Sequence, residues 1–503
     1  MQRNVFQGFI SIFGAKVITL LLALLVTPLI VRLLGSAQYG DYAFILSILG
    51  ITMILANAGI FDGTRKYIAE DREQPNWIEH VFGFYLRVAF ILALAAALIY
   101  GTVSWLGFSE QLFSHEFTVY FYLLGGLIIC RQAYSVARGG LMGLGLEDRS
   151  EPLSILKKVL FAIFGLLLAY IGYGVAGVLA GHIIATLTVS IIAFAVLFRE
   201  INLKAVFSRV PTEFPKRELF SFNSLSVILI LLTASLYHVD ILLLRPLAGS
   251  EATGYYRAAL VIAEFLWFVP NALQIVLLHS TSELWSKEKT DEVSTLVSKI
   301  TRYNLSLVII LVIGLAALAG NFMPIYFGSE FEASVLPLIL LLPGVLGFAL
   351  ARPIFAVGQG KGELRILIAA TGSAALINLI LNILLIPRYG MAGAATATSI
   401  GYGSMFILHT LIARRIGFDP LSDIRAGRIL LAGIVTAPII FALASVLSPI
   451  VSLVVVPPVG FVIYATLSLR LNVVDNTEIE QLQQRAPEKI LSVFNAIRLL
   501  GGS

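Results

Sequence analysis

Apolar residues in this chain come in long runs separated by short polar turns. A helix that crosses the ~30 Å hydrocarbon core of a bilayer needs roughly 17–25 mostly apolar residues. Runs of that kind occupy 6–33, 41–61, 80–105, 118–139, 155–172, 175–198, 221–246, 254–282, 303–323, 335–357, 365–386, 391–413, 428–447 and 450–469, which predicts fourteen membrane-spanning helices. The first run, VFQGFISIFGAKVITLLLALLVTPLIVRLL, far exceeds the ~7–15 apolar residues of a secretory signal, and no small-residue cleavage site follows it. It is expected to persist as the first span. The connections are short, which leaves no room for a separate soluble domain.

Composition agrees with this reading. The chain is 58% hydrophobic and 13% charged over 503 residues, whereas a soluble domain has roughly 45–50% apolar and 25% charged residues. The net charge of +5 would suit nucleic acid in a soluble protein, but in a membrane protein the placement of Lys and Arg carries the information. The N-terminal tail and every second connection hold most of the 35 basic residues, while the intervening loops hold only Arg245 and Arg388. The positive-inside rule therefore puts both termini on the cytoplasmic side of a cytoplasmic membrane, with no nucleic-acid partner expected. The longest inner segments, 199–220 and 283–302, are basic and amphipathic and read as surface helices along anionic headgroups. The tail from 475 to 500 carries Ile490, Phe494 and Ile497 at helical spacing, as in a docked cytosolic helix. The single cysteine, Cys130, excludes an intramolecular disulfide and sits in an apolar run as a buried thiol would.

The chain also repeats itself. GSAQYGDY at 35–42 returns as GSEATGYY at 249–256, with Gly35/Gly249, Ser36/Ser250, Gly40/Gly254 and Tyr42/Tyr256 in common. FSHEF at 113–117 matches FGSEF at 327–331, and Arg138 matches Arg352, both again 214 apart. YGVAG at 173–177 matches YGMAG at 389–393 at an offset of 216. Each pair is weak alone, since Gly, Ser and Tyr are common in turns. Their shared order and offset imply two copies of a six-helix unit. An even number of spans places both copies the same way up, as parallel repeats around a cavity. The expected organisation is an all-α polytopic membrane protein with an N-terminal lobe at 1–215, a C-terminal lobe at 216–415, and two added spans plus a cytoplasmic amphipathic tail at 416–503.

Ionisable residues inside spans are costly and face protein or a water-filled cavity. Lys16, Arg87, Arg131, Arg138, Asp240, Arg257, Glu264 and Arg352 are of this kind, six cations against two acids. A cleft lined by them would suit an anionic group such as a phosphate or pyrophosphate. Arg257, Glu264 and Asn271 recur every seven residues and form a polar stripe along the eighth span, and Arg131 and Arg138 share a face of the fourth. Lys16, Arg131, Arg257, Glu264 and Asn271 are the principal cavity candidates; Arg87, Arg138, Asp240 and Arg352 are secondary ones. Competing roles exist for several. Arg138, Arg257 and Arg352 stand close enough to span ends to reach the headgroups. Arg87 suits an anchor or ion pair, and Asp240 a neutralising partner for an arginine. His182 and His238 read as packing histidines with satisfied hydrogen bonds.

No P-loop, HExxH or clustered ligand set is present, so neither an ATP-driven pump nor a metalloenzyme has support, and no cofactor or metal is expected. A membrane polysaccharide polymerase or ligase would need catalytic groups in a sizeable outer loop, and these loops are short and poor in charge.

The duplicated core resembles the multidrug/oligosaccharidyl-lipid/polysaccharide (MOP) exporter superfamily. VRLLGSAQYGDYAFI after the first span, IYFGSEFEAS after the ninth and IPRYGMAGAATAT entering the twelfth are similar to the polysaccharide transporter and O-antigen flippase branch. The resemblance implies a non-enzymatic flippase that carries a polyprenyl-linked oligosaccharide between leaflets by alternating access, driven by a coupling ion such as H+ or Na+. It implies membrane lipids as surroundings and the cationic cleft as the phosphate site. By span, Lys16 and Arg257 match cations of the superfamily's lipid II flippases, whereas Arg65 lies just past the inner end of span 2. A cation-coupled multidrug exporter is the alternative, and it would be expected to line its cleft with acidic and aromatic groups.

Overall fold

The computed structural model describes residues 5–70, 72–222, 224–475 and 478, with side chains of the first helix described for Gly14 and from Val17 onward. Ile490, Phe494 and Ile497 of the tail lie outside the described residues. The regular elements among the described residues are helices: α1 (Val5–Asn57), α2 (Ile60–Ala69), α3 (Trp77–Trp105), α4 (Phe108–Leu112), α5 (Glu116–Gly143), α6 (Glu147–Leu168), α7 (Gly174–Leu197), α8 (Leu203–Phe207), α9 (Lys216–Ser221), α10 (Ser224–Phe265), α11 (Phe268–Ser286), α12 (Thr290–Phe327), α13 (Val335–Lys361), α14 (Leu364–Ile416), α15 (Ala426–Val446) and α16 (Pro449–Arg470). Among the described residues, ten helical stretches are long and apolar enough to cross a membrane. Four of them run to 53, 51, 50 and 53 residues, more than twice one crossing at 1.5 Å rise per residue. This is an all-helical, multi-pass membrane protein.

Each of those four stretches bends at a glycine in a conformation that L side chains avoid. In α1 the bend is Gly35 (φ 69°, ψ 176°), and in α10 it is Gly249 (φ 89°, ψ 173°). Gly174, at the start of α7, has φ 51° and ψ −134°, and Gly390 inside α14 has φ 53° and ψ −131°. The bends thus come in two matched pairs, at the positions where the repeated sequence turns lie.

Contacts divide the chain into two compact units, residues 1–254 and 255–503. The division falls inside α10. In the first unit a buried cluster including Trp77, Phe82, Tyr85, Val136 and Leu197 joins α3, α5 and α7. The segment after α7 folds back onto it: Tyr85 donates to the Leu219 carbonyl (3.0 Å), and Val206 and Leu219 are buried while Phe207 and Phe220 are exposed. The repeated turns also meet within this unit. A Cβ on Gly40 would overlap the Ser250 carbonyl oxygen, and one on Gly254 would overlap that of Ser36. Asp41 beside this crossing accepts from Arg245 (2.5 Å) and Ser250 (2.8 Å). The repeat is conspicuous in sequence because each copy supplies the small residue on which the other packs.

In the second unit α15 and α16 pack on α12. The 283–302 segment is not a free surface helix. It comprises the end of α11 and the opening turns of α12, whose Val293, Val297 and Arg302 are buried. No Gly or Pro interrupts residues 290–313, so the hydrogen-bond ladder runs from the basic segment into the span. Arg302 pairs with Asp423 and, through two hydrogen bonds of 2.5 and 2.7 Å, with Glu478. Next to it Arg425 binds Asp475 with two hydrogen bonds of 2.6 Å, which hold the Asp475 carboxyl below the usual carboxylate range.

Candidate functional site

Helices α1, α2, α5, α6, α7 and the opening turns of α10, all within the first unit, enclose a cavity of about 610 Å³. Helix periodicity sets its charged wall. Arg131, Ser135 and Arg138 follow one another at i, i+4 and i+7 and share the inward face of α5. Lys157, Lys158 and Phe161 come from α6, His182 and Thr186 from α7, and Asn57 from the last turn of α1.

The four cations are not equivalent. Arg138 Nη2 lies 2.6 Å from Oε1 of Glu151, a buried carboxylate on α6, and its guanidinium sits 5.4 Å from the centre of the Phe61 ring. Arg131, Lys157 and Lys158 make no ion pair among the described residues; Lys157 instead places its ammonium 4.4 Å from the Tyr134 ring centre. Asp62 is the acid on the cavity wall, and it also lines a neighbouring hollow of about 670 Å³ edged by Arg65, Lys66, Glu70 and Glu147. Unpaired cations at low dielectric repel one another and are poorly solvated, so an entering anion relieves both penalties.

His182 closes one wall of this cavity. Its Nε2 is 2.8 Å from the Tyr42 hydroxyl, and its ring lies parallel to Phe161 with centres 3.7 Å apart. The packing role expected for it therefore includes a hydrogen bond to the tyrosine that ends the first repeated turn.

The other sequence candidates lie elsewhere. Lys16 is on α1, and its side chain is outside the described residues. Arg87 donates to the carbonyls of Gly83 (2.9 Å) and Ser208 (3.4 Å), fastening α3 to the segment after α8. Asp240 is buried on α10, where its carboxylate accepts from the Ile241 amide. Arg257 pairs with Glu264 at 3.4 Å one heptad along α10. The stripe does not continue to Asn271 on one helix: α10 stops at Phe265 and α11 starts at Phe268. Pro270 is the physical reason, because it has no amide to bond back to Leu266, and the two intervening amides close onto carbonyls three residues back. Arg352 donates to the side-chain carbonyl of Gln274 (3.2 Å) and lies 4.2 Å from the Phe348 ring centre.

Lys157, Lys158 and Glu151 were not among the sequence candidates. They stand at the inner end of a span, where lysines count toward the positive-inside rule, and only the packing of α6 on α7 and α1 turns them toward Arg131. The adjacent lysine pair inside the apolar run 155–172 is the one sequence signal that could have drawn attention.

Comparison with known proteins bears on this geometry. Residues 5–267 match the family described as "Polysaccharide biosynthesis protein". A relative from Haloferax volcanii named "Probable low-salt glycan biosynthesis flippase Agl15" is 23% identical over 97% of this chain and 99% of its own length. Among solved structures, the lipid II flippase MurJ in an inward closed conformation aligns with TM-score 0.75 at 15% identity, covering 92% of this chain and 98% of that one. An inward-facing multidrug resistance MATE family transporter of the MOP superfamily aligns with TM-score 0.62 at 17% identity, over 78% and 94%. These two likenesses establish a common fold.

Proposed function

This chain belongs to the polysaccharide biosynthesis protein family, and from that premise we propose that it is a flippase of the MOP superfamily for a polyprenyl-linked oligosaccharide. The observation that carries the reading is the set of Arg131, Lys157 and Lys158 in one cavity with no carboxylate paired to them. Guanidinium and ammonium groups held at low dielectric form charge-assisted hydrogen bonds to phosphate oxygens. Asn57, Ser135 and Thr186 on the same walls offer neutral hydrogen-bonding groups of the kind a sugar hydroxyl uses. The apolar polyprenyl chain needs no site and stays in the bilayer.

The charge arrangement also gives a reason for transport to require cargo. Closing an empty cavity around three unpaired cations would strip their remaining water at a cost of several kcal/mol, by the general magnitude for buried ions. An anion bound among them removes most of that cost, so occupied protein changes state more readily than empty protein. With the basic loops on the cytoplasmic side, loading takes place there and release on the opposite face. A coupling ion, H+ or Na+, would bias the cycle in that direction.

A cation-coupled multidrug exporter is the second reading of this fold. A cationic drug would enter a cavity in which Arg131, Lys157 and Lys158 oppose the single wall carboxylate Asp62, and that repulsion argues against it.

The test is flipping in proteoliposomes with a polyprenyl-diphosphate oligosaccharide and an external sugar-modifying enzyme. Wild type should expose inner-leaflet glycan, and the combined Arg131→Gln, Lys157→Gln, Lys158→Gln variant should lose about tenfold or more of the rate, the loss of one to two kcal/mol of charged hydrogen bonding. Protection of the glycan equal to that in empty liposomes, with an ion gradient applied, would overturn the reading.

A further inference from the structure

The two halves of the repeat can be matched residue by residue. Gly35 and Gly249 share a backbone conformation at an offset of 214, and Gly174 and Gly390 do so at 216. Between these landmarks the offset of 216 already holds where α6 and α14 start, since Glu147 and Arg149 correspond to Glu363 and Arg365. The offset of 214 holds through α5 and α13, where Arg138 corresponds to Arg352.

A hydrogen bond verifies the correspondence across helices. Tyr42 meets His182 at 2.8 Å in the first unit, and Tyr256 donates to Thr398 at 3.1 Å in the second. Tyr256 is Tyr42 moved by 214, and Thr398 is His182 moved by 216. The same tyrosine, from the end of the same repeated turn, reaches the same point on the sixth helix of each copy.

Carried onto the cavity, this correspondence shows where the copies have parted. Arg131 corresponds to Val345, Lys157 to Ser373, Lys158 to Ala374, His182 to Thr398, and the Glu151 partner of Arg138 to Leu367. Neutral hydrogen bonding is retained, as at Asn57 and Asn271. Among the cavity cations only Arg138 has a cationic counterpart, Arg352, which donates to the Gln274 side chain. The cluster formed by Arg131, Lys157 and Lys158 therefore has no cationic equivalent at the matching positions of the second unit.

The size of the charge is informative too. Arg131, Arg138, Lys157 and Lys158 face Asp62 on the wall and Glu151 behind Arg138, which leaves two positive charges uncompensated. A diphosphate diester carries two negative charges and a phosphate diester one.

We propose, building on the flippase reading, that the first unit alone holds the anionic linkage of the cargo, that the linkage is a single diphosphate diester, and that the corresponding zone of the second unit binds no phosphate. Duplication supplied two equivalent frames. Only one of them acquired the charge.

The test is equilibrium binding of two soluble short-prenyl analogues to the full-length protein in nanodiscs, one a sugar diphosphate diester and one the matching monophosphate diester. One diphosphate should bind per chain, about tenfold or more tighter than the monophosphate, as expected when a second charge meets an unpaired cation. Arg131→Gln, Lys157→Gln and Lys158→Gln should each weaken it about tenfold, whereas Arg352→Gln should stay within about twofold. Replacing these lysines by glutamine removes unpaired buried charge, so folding is not endangered, and size-exclusion profiles verify it. Two diphosphates per chain, or an Arg352→Gln loss equal to that of Arg131→Gln, overturns the one-sided site. Equal affinity for both analogues overturns the diphosphate assignment. If neither analogue binds while the protein still flips glycan, this inference falls and the flippase reading stands; if neither binding nor flipping occurs, the flippase reading falls with it.

Discussion

At the scale of single residues, His182 joins the cavity to the bent first helix. It touches the cationic wall through Phe161 and reaches Tyr42, one residue beyond the Asp41 that binds Arg245 and Ser250. A hydrogen bond of this kind contributes about 1 kcal/mol net, and its loss is felt as a buried polar group deprived of a partner. His182→Gln keeps a polar atom within reach of Tyr42 and should unfold within a few degrees of wild type in detergent. His182→Leu, similar in volume, should fall below the Gln variant by about 1 kcal/mol; equal melting curves for the two would deny the hydrogen bond a role. Residues of this sort are barely legible in sequence. His182 could be read as a packing histidine, but nothing along the chain told that its partner lies 140 residues away. Lys157 and Lys158 were hidden differently, since the loop-charge rule that fixes orientation absorbs any lysine near a span end.

At the scale of elements, glycine and proline decide where helices turn and where they touch. The apolar runs were plain in sequence because lipid demands them, and they reappear as long helices, some of them bent at Gly35, Gly249 and Gly390. Element boundaries were less legible. The break before α11 depends on one missing amide, at Pro270, in a run whose hydropathy and heptad spacing continue across it. The continuation of α12 into a basic segment reverses the error, since charge there suggested an end that the backbone does not make. The crossing of α1 and α10 yields a prediction. Gly40→Ala and Gly254→Ala each push a methyl group into a carbonyl oxygen, of Ser250 and Ser36, and should destabilise by about 1–3 kcal/mol as overpacked contacts do. Gly314→Ala and Gly320→Ala, with open space at the same atom, should leave thermal stability unchanged or slightly raised, since alanine favours the helix. Equal effects at the two pairs of sites would contradict close approach at the crossing.

At the scale of the whole molecule, the two halves of the chain share matched bends and differ in the charges they carry at matching positions. Matched bends and matched tyrosine hydrogen bonds record the common frame. Arg131, Lys157 and Lys158 line the cavity of the first unit and have no cationic counterparts at the matching positions. The frame could be read from four short matches, because turns and close approaches constrain residue type strongly. The site could be read only in part, because Arg131 and Arg138 announce themselves by lying in an apolar run while their neighbours are assembled by tertiary packing. The central claim is that a glycan-bearing lipid occupies this cavity during transport. Its most direct test is to place a photoreactive amino acid at Ser135, on the cavity wall, and separately at Leu431, an exposed position on α15, in cells or membranes making the lipid-linked glycan. After irradiation, glycan should be found covalently attached at position 135 and not at 431, and Lys157→Gln with Lys158→Gln should reduce the yield. Attachment at 431 in amounts equal to 135, or none at 135 in an actively transporting protein, would contradict the account.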